Sequence, residues 1–196
     1  MSGTSGRPLP RITFNAPVVL SFVFICVAVQ VASTLTGGAS TQALFTCYRG
    51  PLTSPLTYVR LVTHAFGHSS WDHLIGNMSY ILLLGPLLEE KYGSTSLAQI
   101  MLISALACGI VNNVLFPNKG IVGASGIVFT FILLSSITSL RTGEIPLTFV
   151  LVAMLYIGQQ VYGALFVREQ IGYLSHIIGG GIGALFGFLL AGEVRG

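Results

Sequence analysis

The sequence predicts an all-α fold: a polytopic membrane protein with six transmembrane helices and a long, partly membrane-embedded loop between the first two. Three observations predict it. Of the 196 residues, 53% are hydrophobic and only 8% are charged. The mean hydropathy is +0.82. The apolar residues also gather into six runs close to the roughly 20 residues that a helix needs to cross a ~30 Å hydrocarbon core. A soluble domain cannot hide that much apolar surface, whereas a membrane protein need not hide it.

Residues 1–15 form a short polar tail carrying Arg7 and Arg11. The first apolar run, about Ala16 to Leu35, is longer than a signal-peptide core, although Ser33 and Gly37–Ala39 leave a cleavage pattern open. The stretch from Gly37 to Ser70 is semi-apolar, with Phe45, Tyr48, Tyr58 and Phe66. Connections of that length carry function or structure of their own, and a short-helix element in the membrane interface is expected here. The second and third spans run from about Trp71 to Leu88 and from about Ser96 to Phe116. Pro117, Gly120, Gly123 and Gly126 then interrupt the pattern. Irregular backbone at membrane depth is tolerated only where protein or a wet cavity surrounds it. The fourth, fifth and sixth spans are about Ser125–Leu140, Pro146–Phe166 and Ile171–Ala191. One membrane domain therefore covers 16–191, with 192–196 as a C-terminal tail. The charged residues lie in tails and connections, apart from Asp72 and Glu89 at the two ends of the second span. Arg7 and Arg11 beside the first helix favour a cytoplasmic N-terminus.

Composition also narrows the function. No basic run or aromatic-interleaved stripe fits a nucleic-acid partner. Three cysteines, two of them inside apolar runs, make no disulfide framework. An ionisable residue on a lipid-embedded helix points to function by default, and His176 is the one deep in a long apolar run. Gly179, Gly183 and Gly187 follow it on the same helical face and permit close helix contact.

Gly123-Ala124-Ser125-Gly126 opens the fourth span. A helix starting at Ser125 exposes unpaired backbone N–H groups and a positive dipole end to a developing oxyanion. Gly123 and Gly126 leave room for a substrate backbone. Ser125 and Phe129 share a face, so docking it on the His176 face would bring imidazole to hydroxyl, with Phe129 free to stack on the ring. The alternatives are a straight helix from Ile121 with Ser125 merely packing, and a structural His176 bonded to a backbone carbonyl.

His64, His68 and His73 cluster ahead of Asn77. His73 and Asn77, four apart, share a helix face and offer the side-chain donors that an oxyanion hole uses beside a backbone N–H. A metal site on the three histidines is the rival. Asp72 is the single carboxylate near them, so no metal or other cofactor is expected. His64 and His68 are expected to cap loop backbone, and Arg60 and Glu89 to anchor ends of the fold. A lone aspartate excludes a two-aspartate protease, and the H-E-x-x-H zinc motif is absent. Ser125 and His176, if they act together, form a dyad without a carboxylate.

In order, Arg60, His64, His68, His73-x-x-x-Asn77, Gly123-x-Ser125-Gly126 and His176-x-x-Gly179-x-x-x-Gly183 resemble the rhomboid intramembrane serine proteases, over roughly Tyr58 to Ala191. The resemblance implies the six-helix form typical of bacteria, in an inner membrane. It implies Ser125 as nucleophile, His176 as general base, and His73, Asn77 and the Ser125 N–H as oxyanion hole. Glu89 matches the glutamate at the end of the second helix. Substrates would be single-span or polytopic membrane proteins, met in the lipid bilayer. Two positions depart from the family pattern: Val59 stands where a tryptophan is common, and Phe129 where a tyrosine is common. Two rivals stay open, a relative that binds client helices without cutting them and a small transporter using His176 as a proton relay. No feature of the sequence fixes an oligomeric state.

Overall fold

The computed structural model describes residues 13–116, 118–137 and the backbone of Gln170–Leu190, where side chains are described at 177–186 and 189. Between them, Leu147, Val150, Leu151, Met154, Leu155 and Gly158 are described as helical. All named elements are helices: α1 Pro17–Leu35, α2 Ala39–Leu44, α3 Pro55–Thr63, α4 Trp71–Tyr92, α5 Ser94–Leu115, α6 Ser125–Ile137 and α7 Gln170–Leu190. Two of them, α1 and α5, are long and apolar enough to cross a membrane. The expected fifth span, 146–166, and the 1–12 and 191–196 tails lie largely or wholly outside the described residues.

The core is a seam of α1, α4, α5 and α6, with Val19, Ile81, Leu97, Ile100, Phe131 and Leu134 fully buried in it. At one end, Glu89 closes the seam. Its carboxylate accepts from the backbone N–H groups of Val18 (2.9 Å) and Val19 (3.0 Å) and from the Ser94 hydroxyl (2.7 Å). The first N–H groups of a helix have no intrahelical acceptor. A buried carboxylate answers two of them at α1 and ties α1 to the junction of α4 and α5.

Between α1 and α4, two short helices stand where a single short-helix element is expected. Arg60 of α3, buried, donates from Nε to the Ala43 carbonyl at 2.9 Å and from Nη2 to the same oxygen, and its guanidinium lies over the Tyr48 ring at 4.4 Å. These contacts fasten the end of α2 to α3, while α3 packs on α5.

The most extensive helix contact is α6 on α7. A Cβ built on Gly179 would lie 2.0 Å from the Gly126 carbonyl oxygen, and one on Gly183 would lie 2.3 Å from that of Thr130. Only glycine fits at such separations, which is the use of small residues at membrane-helix contacts. The pairings 126 with 179 and 130 with 183 advance together, so α6 and α7 run parallel.

Candidate active site

The site is built around the start of α6. Ile121 pairs with Cys47 in an antiparallel bridge, each N–H donating to the other's carbonyl at 2.9 Å. The Asn112 amide of α5 donates to the carbonyls of Lys119 (3.0 Å) and Cys47 (3.3 Å). The Gly123 N–H donates to the His64 carbonyl at 2.9 Å, and Gly123 takes φ +123°, a conformation that L side chains rarely adopt. The loop is thus pinned non-helical up to Ala124. The Val128 N–H then closes the first helical bond on the Ala124 carbonyl. A straight helix from Ile121 is excluded, and Ser125 occupies the first turn of α6.

Across from Ser125 stands the first turn of α4, capped by the Ser70 hydroxyl, which accepts from the His73 N–H at 3.1 Å. A Cβ on Gly123 would meet the His73 ring at Cε1 (2.7 Å) and Nε2 (2.9 Å), and Asn77 Nδ2 at 3.6 Å. The loop glycine therefore lies directly on the imidazole edge. Ser125, His73, Asn77, Phe129, Asp72 and Leu155 line one cavity of about 740 Å³ that continues between α4 and α6 past Leu83, Leu84 and Ile132. Asn77 is buried, and its Nδ2 has no hydrogen-bond partner.

The structure thus brings Ser125, His73, Asn77, Gly123 and Phe129 together. Gly126 and Gly179 touch where α6 meets α7. Position 176 lies on α7 one helical turn before Gly179. The His176 side chain lies outside the described residues, and so does its pairing with Ser125 or Phe129.

His64 departs from expectation. The His64 ring, buried, donates from Nε2 to the Ala105 carbonyl of α5 at 3.0 Å; it is the His64 main chain, not its ring, that holds loop backbone. Burial lowers its pKa. The His68 ring sits against the Phe66 main chain of the same loop, short of a full hydrogen bond. It packs edge-on to the His73 ring at 5.1 Å, and burial, reinforced by His73, pushes its pKa down to about 4. Among the described residues no cluster of three His, Cys, Asp or Glu side chains could hold a metal ion.

Sequence reasoning passed over Cys47, Ser69, Ser104, Asn112 and Thr130. Asn112, an amide inside an apolar run, carried a usable signal, since polar residues there bind neighbouring elements. Ser69 lies four residues before His73, a helical spacing. Hydroxyls such as Ser104 and Thr130 are common in apolar helices and carried none.

A rhomboid domain model matches residues 55–193, most of the chain and the whole of this site. The chain belongs to the rhomboid family. The resemblance in its motifs is borne out. Among curated relatives, this rhomboid chain is 24% identical to rhomboid-like protein 11, chloroplastic, of Arabidopsis thaliana, over 68% of the chain and 53% of that protein. It is 30% identical to the rhomboid protease GlpG of Yersinia pestis (strain Pestoides F), over 58% of the chain and 40% of the relative. The GlpG of Yersinia pseudotuberculosis serotype I (strain IP32953) matches to the same extent. The chain spans about half the length of these relatives, or less. Membership in the rhomboid family makes this a membrane protein, as its composition requires.

Proposed function

We propose that this rhomboid chain is an intramembrane serine endopeptidase that hydrolyses peptide bonds in or near transmembrane segments of membrane proteins. The carrying observation is the cavity in which Ser125 faces His73 and Asn77, with the Asn77 amide buried and unpartnered. A buried donor without an acceptor costs about 1–3 kcal/mol. A substrate oxyanion supplies the missing acceptor, so the relief comes at the tetrahedral intermediate and not in the resting site.

In this reading Ser125 Oγ attacks the scissile carbonyl carbon while His176 takes the hydroxyl proton. The oxyanion accepts from the Ser125 N–H, from His73 Nε2 and from Asn77 Nδ2. His176 returns the proton to the departing amine, leaving an acyl group on Ser125. Water, deprotonated by His176, then attacks the ester carbonyl and frees the carboxylate and Ser125. The Gly126–Gly179 contact supports the dyad, because Gly179 follows His176 by three residues and packs on the residue next to Ser125. The domain is read as 16–191 with six spans in a bacterial-type inner membrane, the N-terminus cytoplasmic and the site open to the opposite side. A substrate segment would enter along the cleft between α4 and α6, where apolar Leu83, Leu84 and Leu155 suit a transmembrane helix.

The test is cleavage of a single-span model substrate by purified protein in detergent, comparing wild type with Ser125→Ala and His176→Ala. Cleavage by wild type alone supports the reading. Cleavage by Ser125→Ala at the wild-type rate, or none by wild type across several substrates, removes it.

A further inference from the structure

The His73 ring is held from its far side. Its Cε1–Nε2 edge lies on Gly123 and faces the cavity shared with Ser125, while Nδ1 lies 3.0 Å from the Ser69 hydroxyl. A neutral imidazole carries one N–H, and the bond made by one nitrogen decides which nitrogen is protonated. A ring that donates to an oxyanion through Nε2 needs its proton there, so Nδ1 has to accept. A group that can only accept would hold the proton on Nδ1 and leave an Nε2 lone pair aimed at the oxyanion. A hydroxyl can donate. His68, the other ring against His73, makes an edge contact with it and no hydrogen bond to it. The charged neighbour on α4 in the same cavity is Asp72, for which no bond to the ring occurs among the described hydrogen bonds.

We propose that Ser69 is a positioning residue for catalysis: its hydroxyl donates to His73 Nδ1 and so holds the Nε2–H tautomer directed at the substrate oxyanion. The inference rests on the reading of His73 as an oxyanion donor. Ser69 is exposed and precedes the helix cap, so replacing it leaves the core of the fold intact.

The experiment compares Ser69→Ala, Ser69→Thr and His73→Ala with wild type by steady-state cleavage of a single-span substrate. In parallel, 15N-histidine spectra of the same detergent-solubilised proteins report which ring nitrogen carries the proton. With four histidines in the chain, the His73 signals are assigned by their loss in His73→Ala. Removing an oxyanion donor outright lowers kcat by about 10²–10³-fold. Ser69→Ala leaves the donor but frees its tautomer, so kcat falls about 10-fold with KM unchanged, a smaller loss than that whole-donor figure. Ser69→Thr keeps the hydroxyl and recovers most of the loss. The His73 Nε2–H form dominates in wild type and Ser69→Thr and loses dominance in Ser69→Ala. Equal kcat in Ser69→Ala and wild type, a loss not recovered by threonine, or an unchanged tautomer overturns the role of Ser69. Failure of the underlying reading looks different: His73→Ala then cuts as fast as wild type, or wild type does not cut at all.

Discussion

The hydroxyl of Thr130 lies 2.8 Å from the carbonyl oxygen of Gly179, across the seam between α6 and α7. The same hydroxyl is 2.9 Å from the Gly126 carbonyl of its own helix and 2.8 Å from the Ser104 hydroxyl of α5. Thr130 has one proton, which goes to a carbonyl, so Ser104 donates to Thr130. Three helices meet at one buried hydroxyl, one turn past Ser125. Interhelical bonds of this kind average about 0.6 kcal/mol and reach about 1.7. Thr130→Val keeps the volume and is expected to lower the stability of the detergent-solubilised protein by about 1 kcal/mol. Thr130→Ser should stay near wild type; equal stability of the valine variant would show that glycine packing alone holds α7.

The glycine contact should matter more. Gly179→Ala places a methyl carbon 2.0 Å from the Gly126 oxygen, with backbone and no flexible side chain on the other side. The helices have to part, and overpacking costs about 1–3 kcal/mol or more. The expected outcome is a lower unfolding midpoint together with loss of cleavage, since position 176 moves with α7. Gly181→Ala, which meets nothing within 4 Å, serves as the neutral control.

Gly123→Ala separates site geometry from stability. The added carbon would lie 2.7 Å from His73 Cε1, at a φ of +123° that alanine avoids. Cleavage should fall by about 10²-fold or more, the scale of a lost oxyanion donor. Helix content by circular dichroism should not change. A variant that cuts normally would show that His73 yields freely.

Glu89→Gln tests the closure of the seam. The amide keeps one acceptor oxygen for the two N–H groups of Val18 and Val19 and loses the charge at the start of α1. Hydrogen bonds to charged groups contribute about 1.5–3 kcal/mol, so chemical unfolding in mixed micelles should register a loss of about that size.

Acid stability follows from the two buried loop histidines. His64 and His68 are held below the ordinary value of 6.5, His68 down to about 4. Below pH 6.5 the unfolded chain takes up protons that the folded chain refuses, so stability is full above about 6.5 and falls as pH drops toward 4. For His68 the loss by pH 4 is on the order of 3 kcal/mol. His68→Phe should flatten the pH dependence of the unfolding midpoint; a slope as steep as wild type would trace the acid sensitivity to other groups.

The sequence by itself determined the helical class, the rhomboid family and the segments from which the site is drawn. Those properties depend on local patterns. Apolar runs mark the helices, the glycine-flanked serine marks a break, and the four-residue spacing from His73 to Asn77 marks one face. Only the tertiary structure decided how these pieces are held. Ser125 begins α6 because Cys47, Asn112 and the His64 carbonyl, distant in sequence, hold the preceding loop out of helix. His68 is buried against the His73 ring, and Thr130 joins three helices, because those environments are made by elements that carry no mark of one another in the sequence. Spacing reports which residues share a face of one helix. Which faces meet, and at what distance, is set by packing between chain segments.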